Sequence, residues 1–314
     1  MKYGRNSWNK SKWYGVLLAS FLACPGILLP SEALAHESIF GFVYTTDTLP
    51  QGKWELEQVY EGRYGKNHGS YANSFFRTEL EYGVTDNFQA AVYINSRHVY
   101  ANKNNSDGTT GGEDVPDDAD PNQSFNKYKF ETVSFEGIYR VLSPYKDPFG
   151  LALYWEPAVG PDKYEIEPKL LFQKNFFEDR LIVAINGGWE MEWARNKKGE
   201  KDGVELSVWE HEMEFQNTLG VSYRFAANWM GGVEFQNVNK FATFSLRDIE
   251  HNAYFLGPNV HYANKDFWST GAVLFQLPFA KGYNQEQRDS IQGGRIFGHE
   301  REAVQFRVKM GWNF

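Results

Sequence analysis

Carboxylates at every second position are the first chemistry this sequence offers. Glu79 and Glu81, Glu165 and Glu167, Glu190 and Glu192, and the run Glu210, Glu212 and Glu214 all repeat with a spacing of two. Glu136 and Glu234 share their parity, and so do the cations Arg77, Arg140, Lys169, Arg224, Arg307 and Lys309. On an extended chain every second side chain points to the same face. All these groups therefore line one surface. Enclosed, that surface is either a selectivity lining whose charge decides which solutes pass, or a network of ion pairs and hydrogen bonds that fills and stiffens an interior. The excess of acid argues against an anion-selective pore and for cations or neutral polar solutes.

Three further groups could do chemistry. The stretch 104–126 holds Asp107, Glu113, Asp114, Asp117, Asp118 and Asp120 and no base. Hard carboxylate oxygens suit Ca²⁺, and Asp114, Asp117, Asp118 and Asp120 are the candidate ligands, alone or shared with lipopolysaccharide. The spacing is not that of a calcium loop, and a solvated acidic loop is the competing reading. His36 would head the chain after cleavage at residue 35, where its amine and imidazole together could chelate copper; an incidental cleavage product explains it as well. Ser207 and His211 share an outward face and would be the start of a lipid- or lipopolysaccharide-modifying wall site. Four residues along a strand is about 13 Å, too far for a hydrogen bond. Neither a G-x-S-x-G elbow nor a His-Glu-x-x-His pair occurs. No catalytic residue is assigned.

Elements that could carry this alternation follow from its period. Val304, Phe306, Val308, Met310, Trp312 and Phe314 lie on one face, opposite Gln305, Arg307, Lys309, Gly311 and Asn313. Leu181 to Trp193 and Phe76 to Val84 repeat the pattern. Twelve such segments appear, near 53–65, 72–84, 88–102, 127–141, 149–159, 163–174, 181–195, 205–224, 228–242, 252–262, 267–280 and 302–314. Most exceed the roughly nine to eleven residues of a tilted membrane strand. Connections from even to odd strands are short. Those from odd to even include the long stretches 103–126, 196–204, 242–251 and 281–301, with 160–162 as an exception. This asymmetry, with an even strand number, predicts an all-β, up-and-down antiparallel transmembrane barrel. Closure follows because an open sheet edge in lipid leaves backbone groups unpaired. Trp54, Trp155, Trp189, Trp193, Trp209, Trp229, Trp268 and Trp312 suit interfacial belts. In 252–262 and 267–280 neither parity is purely apolar, so the facing of His261 is left open.

Composition narrows the class. Of 314 residues, 17% are aromatic, and the formal charge is −8. With a pI near 5.5 and no basic run, nucleic acid is not an expected partner. Lys2, Arg5, Lys10 and Lys12 precede an apolar run that ends before Ala33-Leu34-Ala35, which is the order of a secretory signal peptide. Cys24, the one cysteine, sits in a loose lipoprotein-like box and reads better as a discarded thiol. Removal of residues 1–35 leaves a cysteine-free chain of charge −11, as expected of an exported envelope protein. The expected organisation is therefore a signal peptide at 1–35, an N-terminal periplasmic or lumenal segment at 36–52, and a barrel at 53–314.

Met310, Trp312 and the terminal Phe314 resemble the C-terminal signal read by the outer-membrane barrel-assembly machinery. Glu81-Tyr82-Gly83-Val84-Thr85-Asp86-Asn87-Phe88 resembles a hairpin common in outer-membrane transporter barrels, including those attached to meta-pathway phenol degradation. His36 to Gly41 and Trp54-Glu55 resemble an uncharacterised Gram-negative envelope family. The resemblance implies a barrel of the bacterial outer membrane and a transport role. The expectation is a narrow channel or uptake protein for small polar or aromatic solutes, in contact with outer-membrane lipid and lipopolysaccharide. A barrel-wall enzyme and a non-conducting structural or metal-stress protein are the alternatives. No cofactor is required, Ca²⁺ and Cu being the ions considered.

Overall fold

The computed structural model describes residues 38–112, 115–116, 118–201, 204–298 and 300–314, without the side chains of 196–206. The expected signal peptide and His36 lie outside these residues, as do Asp114 and Asp117. Twelve long strands close into an antiparallel barrel: β1 Trp54–Tyr64, β2 Ser70–Thr85, β3 Phe88–Asn102, β4 Phe125–Leu142, β5 Gly150–Val159, β6 Lys163–Phe176, β7 Leu181–Lys201, β8 Val204–Ala226, β9 Trp229–Phe241, β10 Ile249–Ala263, β11 Phe267–Gln276 and β12 Val304–Asn313. Each strand pairs with the next, and β12 pairs with β1 from Glu55↔Asn313 to Tyr64↔Val304. Trp54 and Phe314 complete the seam with a reciprocal backbone pair of 3.2 and 3.0 Å. No sheet edge is left where β1 and β12 meet, as lipid demands.

The outer face is apolar along the whole wall. Leu153, Leu170, Ile185, Val233 and Val260 are about half exposed. Aromatic pairs ring the short-turn end, with Trp54 against Tyr82 (4.5 Å), Trp229 against Tyr262 (4.9 Å) and Phe267 against Trp312 (5.4 Å). Tyr164–Trp209 (5.3 Å) and Trp193–Phe244 (4.9 Å) do the same towards the long-loop end. These are the two interfacial girdles of a membrane barrel.

Two expectations need correction. Residues 196–201 are not a free loop: the β7–β8 ladder continues past the Trp193–Phe244 pair through Lys197↔Ser207 to Lys201↔Val204. Outside lipid a ladder needs no apolar face, so alternation gives no signal there. Trp268 is not an interfacial residue. It is fully buried inside the barrel, and its indole nitrogen donates to Glu55 at 2.8 Å.

Ambiguous parity in β10 and β11 has a physical cause. Their inward residues Ala253, Phe255, Ala272 and Leu274 pack with Phe42, Ala280 and Ile296 in a hydrophobic cluster inside the barrel. Ala280 and Ile296 belong to the 277–303 connection, which folds back over the lumen. It carries a short helix α1, Gln285–Asp289, held by a capping box between Asn284 and Gln287. His261 faces inward, its Nδ1 lying 2.7 Å from the Thr270 hydroxyl.

Candidate functional site

A strap divides the lumen. Residues 38–50 run as irregular chain through the short-turn half of the barrel, with Phe40, Val43, Thr46 and Leu49 buried. A chain without ladder partners must find other acceptors for its N–H groups. The wall supplies them one strand after another. Gly41 N and Phe42 N donate to the Glu234 carboxylate on β9 at 2.8 and 2.6 Å. Tyr44 exchanges two bonds with the Asn186 side chain on β7 at 2.7 and 2.9 Å. Thr46 N donates to Gln173 on β6 at 2.7 Å, and Leu49 N to Gln89 on β3 at 2.9 Å. Small residues let the strap lie flush. A Cβ on Gly220 would come within 2.6 Å of the Phe40 ring, and one on Gly41 within 2.5 Å of Ala272.

Between the strap and the β1–β4 wall lies a recess of about 40 Å³, room for little more than water. Glu55, Glu57, Glu79, Glu81 and Glu136 face it, with Lys309. Lys309 pairs with Glu57 at 3.1 Å and also donates to the Ser38 hydroxyl at 2.8 Å. Gln89 donates to Glu81 as well as accepting from the strap. All five carboxylates are buried, and Glu55, Glu57 and Glu81 are engaged with Trp268, Lys309 and Gln89.

Above the strap, towards the long loops, a cavity of about 1020 Å³ has Phe42 and Tyr44 among its lining residues. Arg307 lies over the Phe42 ring at 4.3 Å, and Lys169 lies 4.6 Å from the rings of both Tyr44 and Tyr154, within cation–π range. Across the cavity the charges segregate. On β12 and β1, Arg307 and Arg63 share Glu61. On β3 and β4, Arg97 and Lys129 share Glu131. On the other side Lys163 is shared by Glu165 at 2.9 Å and Glu192 at 2.6 Å. Lys169 pairs with Glu167 at 2.8 Å, and Lys240 with Glu212. Glu190 stands with Glu165 and Glu192, carboxylate oxygens within 4.8 Å of one another. The 277–303 connection reaches in from above: Arg301 pairs with Glu214, and Glu300 lies 3.1 Å from His251.

The expected lining residues thus separate into groups. Arg77, Glu165, Glu167, Lys169, Glu190, Glu192, Glu210, Glu212, Glu214, Arg307 and Lys309 line the cavity. Glu79, Glu81 and Glu136 face the recess, while Glu234 anchors the strap. Arg140 and Arg224 sit at the short-turn rim. The Arg140 guanidinium donates to the Asp86 carbonyl, and Arg224 N donates to Arg180 O at 2.7 Å. Met310, Trp312 and Phe314 lie exposed on the outer surface. Asp118 and Asp120 are exposed in the long loop, and Asp120 accepts from Asn122 N and the Gln123 amide at 2.9 and 2.8 Å. His211 packs on Phe244 at 4.7 Å, and no hydrogen bond joins it to Ser207. Sequence reasoning did not single out Glu55, Glu57, Glu61, Arg63 and Lys163. It also passed over the strap's amide anchors Gln89, Gln173 and Asn186. The inward parity of β1 carries the first four; inward amides near the short turns were the available sign of the anchors.

Strand number, closure and strand order define a twelve-stranded antiparallel barrel with the architecture of outer-membrane β-barrel proteins. Residues 32–314 match a family of unknown function, DUF6662, and the chain belongs to it. No curated protein is similar in sequence. The fold is similar to the COG4313 outer membrane channel of Pseudomonas putida F1, with a TM-score of 0.54 and 9% identity over 85% of this chain and 97% of that one. It is also similar to the translocator domain of the autotransporter NalP of Neisseria meningitidis, with a TM-score of 0.51 and 11% identity over 86% and 91%. The β domain of the Bordetella autotransporter BrkA gives a TM-score of 0.51 and 11% identity over 84% and 100%. At these identities the likeness is one of fold. The resemblance to phenol-pathway transporters narrows to the barrel architecture.

Proposed function

We propose that this protein is a narrow channel of the bacterial outer membrane for small polar solutes, aromatic ones included, with the strap as its periplasmic floor. The observation that carries this reading is the cavity of about 1020 Å³, lined by charged groups and ending on Phe42 and Tyr44. A barrel built only for rigidity would gain nothing from keeping such a volume wet, since filling it with apolar side chains would stabilise more. The similarity to an outer membrane channel supports the same reading. The short-turn end, where the strap lies, corresponds to the periplasmic side of bacterial barrels. In this reading residues 1–35 serve export, and Met310, Trp312 and Phe314 present the terminal strand to the assembly machinery.

Planar-bilayer recording of the refolded chain tests the proposal. Discrete conductance steps are expected, with larger or more frequent openings when the strap's anchors are removed. A fully inserted protein that stays silent with and without those anchors defeats the channel and leaves a structural barrel.

A further inference from the structure

We infer that the cavity selects dipolar solutes: small molecules that carry a cationic and an anionic group together and are oriented across the lumen. This rests on the channel reading above and names its substrate class. In a ring of twelve strands β2 and β8 are six steps apart in either direction, so they face each other across the lumen. The cavity's charges are distributed about that axis. Among the described lining residues, β12 and β1–β4 contribute seven cationic side chains and two carboxylates. The arc β6–β10 contributes eight carboxylates and four cations.

The ion pairs have the same polarity in their stoichiometry. On the β12–β4 wall each carboxylate serves two cations: Glu61 serves Arg63 and Arg307, and Glu131 serves Arg97 and Lys129. On the facing wall one cation serves two carboxylates, Lys163 between Glu165 and Glu192, with Glu190 beside them. Each cluster is internally bonded yet keeps a net charge, positive on one side and negative on the other. Groups fixed in this way need little reorganisation when a solute enters. A monovalent ion gains at one wall and meets repulsion at the other. A molecule with both charges gains at both, its anionic end towards Arg63 and Arg307 and its ammonium towards Glu165 and Glu192. The pattern is a property of the whole cavity and not of one acidic cluster.

Tracer efflux from proteoliposomes tests this with taurine, isethionate and choline, three probes of similar size that are zwitterionic, anionic and cationic. Taurine is expected to leave about fivefold faster than either ion, a difference of about 1 kcal/mol in the barrier. Glu192→Gln should shrink the advantage of taurine and speed isethionate. Arg63→Gln should shrink it too but speed choline, an opposite change that a merely structural role does not produce. Equal or slower taurine efflux from a protein that conducts KCl in a bilayer overturns the dipolar selection and leaves the channel. Absence of KCl conductance removes the channel reading and this inference with it.

Discussion

Replacing Glu234 by alanine should release the strap while sparing the barrel. The carboxylate is fully buried and accepts from Gly41 N, Phe42 N and the Asn259 amide at 2.8, 2.6 and 2.9 Å. Alanine removes every one of these acceptors. Each buried donor left without a partner costs about 1–3 kcal/mol, so the two strap amides alone lose about 2–6 kcal/mol of docking energy. Local opening then rises by about 30-fold at the lower limit, at tenfold per 1.4 kcal/mol. The anchors at Asn186, Gln173 and Gln89 remain, each worth about 1 kcal/mol, so the strap loosens from its Phe40 end first. Glu234→Gln keeps one acceptor oxygen but points an NH₂ at the second amide, and should fall between alanine and wild type.

Hydrogen exchange measures this directly at Gly41 and Phe42, and bilayer records should gain openings in the same rank order. Heat-modifiable migration on gels should not change, because Glu234 contributes only its side chain to the strap while its backbone pairs with Gly220 and Gly257. Unchanged exchange at Gly41 and Phe42 in the alanine variant would refute the claim that side-chain acceptors on the wall hold the strap.

Two other outcomes follow from the outer face and the upper loop. Leu170 is 51% exposed on the outer face near the middle of β6. Leu170→Arg should lower folding stability in vesicles by about 2–4 kcal/mol, the cost of a charge at the bilayer midplane, read by urea titration; no loss would place this face away from lipid. Burial raises the Glu300 carboxyl pKa, but the hydrogen bond from His251 and the fields of His251 and Arg301 outweigh it and hold the group below its usual 4.5. A lowered carboxyl contributes stability above 4.5 that is lost as pH falls through the lower folded value. Burial also holds the His251 imidazole below its usual 6.5, so fluorescence from a probe on the 277–303 connection should report loosening that begins as pH falls below about 6.5 and deepens below about 4.5, and Glu300→Gln should remove the more acid of the two steps.

Strands were legible because lipid enforces their pattern. Where the outer face meets hydrocarbon and the inner face meets water, alternation is a physical requirement, and β2, β7, β8 and β12 show it cleanly. Legibility failed where one of those conditions lapsed. In β10 and β11 part of the inner face is apolar and packs on Phe42 and Ile296, while His261, Thr270 and Gln276 share that face, so neither parity is purely apolar. Beyond Arg195 the β7–β8 ladder runs past the aromatic pair Trp193–Phe244, and its residues Lys197, Lys198 and Glu200 read as loop. The strap's segment stood apart in the sequence at 36–52, but its path and anchors were illegible for a different reason: its backbone bonds go to side chains, and no period marks such a partner. Parity also gives a residue's face without its height. Glu79 and Glu190 looked equivalent until the strap placed one in the recess and the other in the open cavity.

That division changes what the acidic composition means. Taken over the whole chain, the carboxylate excess pointed to cations or neutral solutes. Many of those carboxylates hold the structure together instead. Glu234 binds strap amides, Glu55 accepts from Trp268, Glu81 accepts from Gln89, and Glu57 holds Lys309. A solute in the upper cavity is separated from them by the strap and meets a different electrostatic surface, one whose two walls oppose each other and nearly cancel in sum. Selectivity in such a pore follows the arrangement of its charges rather than their total. Net charge alone is therefore a poor guide here: adding one carboxylate in the recess and one on the β6–β8 wall changes the composition equally, yet only the second alters the field that a passing molecule feels.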